Sequence, residues 1–242
     1  MPIRQVKLAA FLFTAVLVAG CGGGGSDGGS DASASPSASP SPSVSASDST
    51  PSSAPTSEAP ADPLDSAQLK SAALSSTEVS GFQIADFPAK PAGGGTARPA
   101  ACQPLENMRT ASPKPAPKQF LGLLAYATSG SQAGSATTIG LMAYDQPAAE
   151  GVLDGLRAAL KKCTAYEGGV PARTTAKAAT APDTGDDAVA FDLQTRGDSS
   201  DAFVVVRCGA TVVLFYTANG TGSSAEVPGE LVSAQITKLA QS

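Results

Sequence analysis

Two clusters of aspartate are the residues whose type and spacing first suggest chemistry. Asp183, Asp186 and Asp187 fall close together, and Asp198 and Asp201 form a second group. Carboxylate oxygens are the ligands that Ca²⁺ prefers, and two carboxylates at a set separation can hydrolyse glycosides. Neither cluster has the ordered spacing of a calcium loop. We therefore expect both clusters to be solvated turns beside strands.

The absence of histidine narrows the chemistry of the whole chain. Without an imidazole there is no Ser–His–acid or Cys–His hydrolytic site, no histidine zinc site and no imidazole pH switch. The run Gly93–Gly95 is not a phosphate-binding loop, because the strand–GxxxxGK–helix context is missing. The sequence therefore predicts no catalytic residues, no metal site and no cofactor. The tyrosines are expected in the core or at its rim: Tyr126, Tyr144, Tyr166 and Tyr216.

Cys21 ends a pattern typical of an exported protein. Arg4 and Lys7 precede an apolar run from Leu8 to Val18. This run is too short to span a bilayer, which takes ~20 apolar residues. Small residues then lead to the cysteine in the segment Leu17-Val18-Ala19-Gly20-Cys21. The pattern predicts a signal peptide over residues 1–20.

The segment that ends at Cys21 resembles a lipobox, the recognition site of bacterial lipoprotein signal peptidase. The resemblance implies that the sulfur of Cys21 is diacylated and that cleavage makes Cys21 the first residue of the mature protein. Two acyl chains suffice for stable anchoring, whereas one is marginal. We therefore expect the protein to be held by lipid on the extracytoplasmic face of the cell membrane. A secretory signal with an unrelated cysteine is the alternative.

Residues 21–62 are predicted to be the lipidated cysteine and a tether. Residues 22–62 consist almost entirely of Gly, Ser, Ala, Pro, Thr and Asp, and they contain no aromatic residue. Such a segment buries too little apolar surface to offset its chain entropy, so it is predicted to be disordered. A chain of this length has an average reach of about 35 Å. Residues 63–242 then form one domain with a sizeable core.

The charge of the chain argues against a nucleic-acid partner. The formal net charge is −5, and loss of Arg4 and Lys7 with the signal peptide makes it −7. No basic cluster remains, whereas a nucleic-acid-binding surface needs a basic stripe. The same deficit argues against electrostatic docking on anionic lipid. The expected membrane contact is therefore the lipid anchor alone.

Hydrophobic periodicity predicts an α+β domain with a mainly antiparallel sheet. The helices are predicted over residues 63–74, 99–108, 145–168 and 226–239. The strands are predicted over 82–86, 119–128, 137–144, 173–179, 188–193, 202–207 and 211–217. The clearest helix carries its apolar face on Leu153, Leu156, Leu160 and Cys163. Hairpin-length links favour antiparallel pairing, and we expect the helices on one face of the sheet.

Five segments of this domain carry a family resemblance. They are Thr77–Phe82, Cys102–Leu105, the helix Leu153–Cys163, Gly185–Phe191 and Val206–Gly209. The domain resembles actinobacterial surface lipoproteins of the sensor-like type, and it is similar to the extracellular sensor domain of mycobacterial receptor Ser/Thr kinases of the PknH kind. The resemblance covers most of residues 63–242. It implies an α+β fold with a concave face, a disulfide, and a ligand-binding or sensing role without catalytic residues.

Three cysteines remain once Cys21 carries lipid, which is an odd number for an oxidising compartment. The resemblance favours a disulfide between Cys102 and Cys163, worth about 4 kcal/mol in the chain-entropy model. From the residues alone, pairing of either cysteine with Cys208 stays open. Cys208 is either an exposed, reactive thiol in a tight turn or a partly buried, inert one. We expect the second.

These observations lead to the interpretation of a non-catalytic cell-surface lipoprotein with a ligand-binding or sensor-like domain. A small molecule, a lipid or a cell-wall fragment in a concave pocket is the expected class of ligand. The alternative is a structural or protein-interaction module of a membrane or cell-wall complex, which requires a protein partner.

Overall fold

The computed structural model describes residues 62–87, 95–168, 170–218 and 225–242. These described residues belong to one compact unit. The predicted signal peptide, the predicted lipidation site Cys21 and all of the predicted tether except Asp62 lie outside the described residues. No helix in the described ranges is long and apolar enough to cross a membrane.

One antiparallel sheet organises the described part of the chain. Its eight strands lie in the order β1-β2-β3-β8-β7-β6-β5-β4. Their bounds are β1 Phe82–Asp86, β2 Gln119–Ala127, β3 Ala136–Ala143, β4 Ala165–Gly168, β5 Val170–Ala179, β6 Asp187–Thr195, β7 Ser200–Cys208 and β8 Thr211–Ala218. Every neighbouring pair is antiparallel. The predicted antiparallel sheet is therefore confirmed.

Four α-helices accompany the sheet in the described ranges. Their bounds are α1 Ser66–Ala72, α2 Gln103–Arg109, α3 Gln146–Lys162 and α4 Gly229–Leu239. A 3₁₀ turn, Ala100–Cys102, leads directly into α2. The helices and the sheet together confirm the predicted α+β fold class.

The helices pack on both faces of the sheet, so the expectation of a single helical face is wrong. Along β8, Val212 and Leu214 join the core beneath α2 and α3. Val213 and Phe215, which alternate with them, join the core beneath α1 and α4. A central strand with four consecutive buried apolar residues has two apolar faces, and each face must be covered. We name these two sides the α2/α3 face and the α1/α4 face.

All seven predicted strands are present, six of them with shifted ends, but β4 is missed by the sequence analysis. The third helix ends at Lys162 rather than near Gly168, because Cys163 takes up an extended conformation. Cys163 therefore follows the helix instead of lying on it. The chain then forms β4 from Ala165 to Gly168. Four residues are too few to show the alternation by which a strand is recognised.

Candidate functional site

Helix α2 is covalently fixed at its first turn. The disulfide joins Cys102, which precedes α2, to Cys163, which follows α3, with the two Cα atoms 5.3 Å apart. Both cysteines are buried in the core of the α2/α3 face. The pairing that the resemblance implied is therefore present, and Cys208 is the free cysteine among the described residues.

A buried polar network fixes the other end of α2. The Glu106 carboxylate is fully buried. It accepts hydrogen bonds from Arg109 Nε at 2.9 Å and from an Arg109 terminal nitrogen at 2.6 Å. Tyr166 of β4 donates its hydroxyl to the same carboxylate at 3.1 Å. Glu106 raises the pKa of Arg109, while burial, followed by the Glu106 charge, raises the pKa of Tyr166. The network thus holds α2 against the edge strand β4.

The outer side of α2 carries two amide side chains whose orientations are fixed. Gln103 accepts a hydrogen bond from the Ala97 backbone N–H at 2.8 Å. Its amide nitrogen donates to the Gly95 carbonyl and to Asn107 Oδ1, each at 2.8 Å. Asn107 is only 8% exposed. Because Gln103 occupies the oxygen end, the amide nitrogen of Asn107 is its free end. That nitrogen has no hydrogen-bond acceptor among the described residues.

Two clefts meet at this outer side of α2. The α2–α3 cleft has a volume of about 320 Å³ and lies between the two helices. The α2–β2 cleft has a volume of about 620 Å³ and extends toward Phe120 at the start of β2. Both clefts are lined by the same four residues, which are Gln103, Asn107, Pro113 and Lys114. The clefts therefore share a polar junction at Asn107.

The cations near this junction differ in their partners. Lys118 lines the α2–β2 cleft and pairs with Asp145 at 2.5 Å. Lys114 is exposed and lines both clefts, and it has no ion pair in the described part of the chain. Its ammonium group and the free amide nitrogen of Asn107 are both hydrogen-bond donors. The junction is therefore suited to an acceptor, and most strongly to an anion.

The aspartates that the sequence singles out serve the fold. The Asp186 carboxylate accepts from the Gly209 backbone N–H at 2.6 Å and from Arg207 at 3.0 Å, which fixes the β7–β8 turn. Asp187 pairs with Arg157 of α3, and this arginine lowers the pKa of Asp187. Within the described ranges, no three His, Cys, Asp or Glu side chains are grouped closely enough to hold a metal ion.

The second aspartate pair, Asp198 and Asp201, and most of the tyrosines also have structural roles. Asp201 accepts a long hydrogen bond of 3.4 Å from the Tyr216 hydroxyl. Burial, and then the Asp201 charge, raises the pKa of Tyr216 to about 12. Asp198 lies in the β6–β7 hairpin, where its N–H bonds the Thr195 carbonyl. Tyr144 and Tyr166 are fully buried, whereas Tyr126 is 46% exposed.

Cys208 is half-buried at the end of β7. Burial raises the pKa of its thiol to about 11, so the reactive thiolate is scarce at neutral pH. This environment agrees with the expected partly buried, inert thiol.

A separate acidic cleft lies near the start of α4. Its volume is about 460 Å³, and Asp183, Asp192 and Glu226 contribute to its lining. Burial raises the pKa of Asp192, which is opposed by the charge of Lys177 on the neighbouring strand. This cleft differs from the junction at α2 in the sign of its charges.

Sequence reasoning did not identify Gln103, Asn107 or Lys114 as site residues. The first two are four positions apart on α2, so they lie on one side of the helix. That spacing was a usable signal. Gln103 is held by the backbone of Gly95 and Ala97, which lie outside the helix, and a helical spacing does not predict those contacts.

The fold has counterparts among solved structures. The described fold is similar to the extracellular domain of PknH from Mycobacterium tuberculosis, with a TM-score of 0.52 and 11% sequence identity over 75% of this chain and 99% of that one. A putative uncharacterized protein from Mycobacterium smegmatis, the Rv0999 ortholog, matches with a TM-score of 0.37 and 16% identity over 72% and 94% of the two chains. Neither a protein-family model nor a curated protein matches the sequence. The chain therefore shares the fold of the PknH extracellular domain.

Proposed function

We propose that this protein is a non-catalytic extracytoplasmic lipoprotein, anchored by lipid on Cys21, whose domain binds a small ligand in the clefts beside α2. The proposal depends mainly on Asn107, a residue only 8% exposed that lines both clefts and whose amide nitrogen has no acceptor in the described chain. The fold that the chain shares with the extracellular domain of PknH supports the extracytoplasmic location.

The bonding of the Asn107 side chain favours a ligand at the junction of the two clefts. The Asn107 side chain is nearly buried, and its amide nitrogen has no acceptor in the described chain, so this nitrogen is free to donate to a ligand. Gln103 holds the amide in one orientation by donating a hydrogen bond to Asn107 Oδ1. Gln103 is itself fixed by its bonds to Ala97 and Gly95. A ligand that presents an acceptor there would gain a hydrogen bond without ordering any protein side chain. Such preorganised groups are what binding sites use to fix a ligand.

The size and walls of the clefts fit a small molecule. Volumes of about 320 and 620 Å³ lie within the range of ligand sites, about 300–1,000 Å³. The walls of the α2–α3 cleft are mainly apolar, with a few convergent polar groups, as ligand sites generally are. The disulfide at Cys102 and the Glu106 network keep α2, which forms the common wall, in place.

Three carboxylates of the described chain are engaged in structural contacts rather than available for catalysis. The chain has no histidine. Glu106, Asp186 and Asp187 each pair with an arginine, so these carboxylates serve structural contacts. A general base or nucleophile must reach a substrate from a cleft, whereas these three carboxylates form ion pairs with arginines of the same chain.

A protein-interaction module is a second candidate, and exposed aromatic residues favour it. Phe87 is 37% exposed and Tyr126 is 46% exposed, and they are the large hydrophobic residues that the described surface leaves open. Aromatic residues are enriched in protein interfaces. Crosslinking in the native membrane distinguishes the two functions, because a single stoichiometric protein partner lost in Tyr126→Ser would favour the interaction module.

Ligand binding is tested by isolating the full-length protein from native membranes and identifying co-purified small molecules by mass spectrometry. We expect a small molecule in near-stoichiometric amount with the wild type and its loss in Asn107→Leu, which removes the donor at similar volume. Gln194→Leu, an exposed amide on β6, is the matched control and should retain the molecule. Co-purified molecules that are unchanged in Asn107→Leu, or absent from the wild type, would overturn the proposed site.

The anchor is tested separately with Cys21→Ser. Loss of the acylated sulfur should move the protein from the detergent phase to the aqueous phase, or leave it with its signal peptide attached. Unchanged partitioning into detergent would contradict the lipid anchor.

A further inference from the structure

Two glycines in the middle of α3 form one side of the α2–α3 cleft. Gly151 and Gly155 are four positions apart in the 17-residue helix, so they lie on the same side. Glycine in a helix interior is less favourable than alanine. A Cβ atom built on either glycine meets nothing within 4 Å. The described chain therefore provides no steric reason for glycine at either position.

A bound ligand would explain why glycine occupies these two positions. Glycine allows another group to approach the backbone closely, and here the open space is the cleft itself. The glycine pair does not stand alone, because Asn107, whose amide nitrogen has no acceptor in the described chain, lines the same cleft. One wall thus offers a flat backbone surface, and the opposite wall offers an amide donor.

The charge of the cleft indicates which group accepts from Asn107. The whole chain has 21 acidic residues against 16 basic ones, yet Lys114 is the charged residue that lines the α2–α3 cleft in the described structure. Lys114 has no ion pair there. An ammonium and an amide donor at one junction favour a carboxylate or phosphate over a neutral acceptor.

The remaining walls indicate the body of the ligand. Pro104 and Met108 of α2 and Val152 and Leu156 of α3 are apolar and line the cleft. Met108, Val152 and Leu156 belong to the core of the α2/α3 face, so these walls are firmly packed. An apolar group gains free energy by leaving water for such a surface.

We propose that the α2–α3 cleft binds an amphipathic anion, with its oxyanion at Asn107 and Lys114 and its apolar body against the backbone of Gly151 and Gly155. The inference rests on the proposed function and adds the chemical class of the ligand and the surface that holds it. A free carboxylic acid and the phosphate head of a lipid share this chemistry.

Four probes with apolar chains of seven or eight carbons test the class: octanoate, octyl phosphate, octyl glucoside and octyltrimethylammonium. Binding to the lipidated full-length protein in phosphatidylcholine nanodiscs is measured by calorimetry, with empty nanodiscs subtracted. We expect one or both anions to bind at least tenfold more tightly than the neutral and cationic probes. Tighter octanoate indicates a free acid, and tighter octyl phosphate indicates a phosphate head.

Charge and donor variants locate the oxyanion. Lys114→Gln should weaken the anion several-fold and reduce its salt dependence, and Asn107→Asp should weaken it more than tenfold. Lys70→Gln, an exposed lysine of α1 on the opposite face, is the matched control and should bind as the wild type does. Equal anion binding in Asn107→Asp and the wild type would overturn the inference.

Glycine variants locate the apolar body. Gly155→Leu should abolish probe binding while the melting temperature stays at or above that of the wild type, because leucine favours the helix and the added side chain enters open space. Gly155→Ala should raise the melting temperature and weaken binding modestly. Unchanged binding in a folded Gly155→Leu protein would show that the glycines are not part of the site.

The outcomes separate this inference from the proposed function. If octyl glucoside binds as tightly as the anions, or if the molecule that co-purifies through Asn107 is neutral, the cleft is a binding site and the anionic class is wrong. If the wild type binds none of the probes, the inference fails, while the co-purification experiment independently decides the proposed function.

Discussion

Two helices of seven residues lie on opposite faces of the sheet, and they are held in different ways. Helices this short are marginal without outside contacts, so each must be fixed by its surroundings. α1 begins with a capping box, in which the side chains of Asp65 and Gln68 each bond the other's backbone N–H. The buried side chain of Gln235 then bonds the Ala72 carbonyl at 2.7 Å and the Leu74 N–H at 3.1 Å.

α2 has stronger constraints than α1. Its N-cap residue, Cys102, makes no side-chain capping bond and carries the disulfide instead. Its last turn carries the buried ion pair of Glu106 and Arg109. The outer side of α2 borders two open clefts, so part of its surface lacks the packing that a closed core would supply.

The opening beside α2 is therefore compensated by a covalent bond and an ion pair, which α1 does not have to the same degree. A cleft wall loses dispersion contacts on its open side, and a mobile wall would cost ordering entropy when a ligand binds. Fixing α2 at both ends reduces that cost. α1 is held instead by its capping box, by Gln235 and by the partly exposed ion pair of Glu78 with Lys238.

The largest effect should come from removing the disulfide with Cys102→Ala/Cys163→Ala. The bond closes a loop between residues 61 positions apart, and the chain-entropy model gives a loss of about 4 kcal/mol in the free energy of unfolding. Urea unfolding measures this loss. Hydrogen exchange should show that the α2 amides lose protection by local opening, whereas the α1 amides exchange only with global unfolding.

Cys208→Ala serves as the control for this prediction, because its thiol is half-buried and unpaired, and it should cost about 1 kcal/mol or less. Equal loss of local protection in α1 and α2 of the disulfide variant would show that the two helices are not held differently.

The next largest effect is expected from Glu106→Gln. Removing one partner of a buried ion pair costs about 3–5 kcal/mol. Arg109 is 19% exposed on its side chain and regains some hydration, so we expect about 2–3 kcal/mol by urea unfolding. Replacement of both partners in Glu106→Leu/Arg109→Leu should recover part of this loss, since an apolar pair leaves no unpaired charge. A double variant less stable than Glu106→Gln would contradict this explanation.

Sequence patterns predicted the helices and strands of this fold better than they predicted which faces of the sheet are covered. The apolar spacing of Leu153 and Leu156 identified α3, and the apolar run of β8 identified its strand. The same run contained the signal for two covered faces, because Val212 to Phe215 are all apolar. β4 was too short to show a period. The disulfide partner of Cys102 came from a family resemblance, not from local pattern.

Local sequence patterns did not predict the candidate site, because contacts from outside α2 build it. The burial of Asn107 depends on α3 packing beside α2, and its orientation depends on Gly95 and Ala97 through Gln103. These are tertiary contacts. The two glycines of α3 stood in the sequence, but an unexplained glycine becomes informative only when the space above it is known.

On the other face, Gln235→Leu should cost less than Glu106→Gln. The substitution leaves the Ala72 carbonyl and the Leu74 N–H without their partner, and an unsatisfied buried polar group costs about 1–3 kcal/mol. These groups lie at the end of α1, where local fraying can expose them to water, so we expect about 1–2 kcal/mol by urea unfolding. A loss greater than that of Glu106→Gln would reverse the comparison of the two helices.

The smallest effect concerns an ion pair at the end of α1, and it depends on pH. Glu78 accepts from Lys238 of α4 at 2.9 Å and from the Ser75 hydroxyl and N–H, each at 2.7 Å. The Lys238 hydrogen bond, followed by those of Ser75, lowers the pKa of Glu78 from 4.5 to about 2. Because the pKa is lower in the folded state, the stabilisation is present above pH 4.5 and is lost as the pH falls toward 2.

The stability gap between the wild type and Glu78→Gln should therefore be constant near neutral pH and shrink between pH 4.5 and 2. It should also be smaller in 0.5 M NaCl, since solvent screens an exposed pair. Urea unfolding of both proteins across this range measures the gap, and other carboxylates cancel because both proteins contain them. A gap at pH 2 as large as at pH 7 would mean that Glu78 acts through its shape rather than its charge. The end of α1 would then depend on no ion pair, although the Lys238 ammonium still donates to the Ala73 carbonyl at 2.6 Å, and the contrast with the ion pair that fixes α2 would be greater.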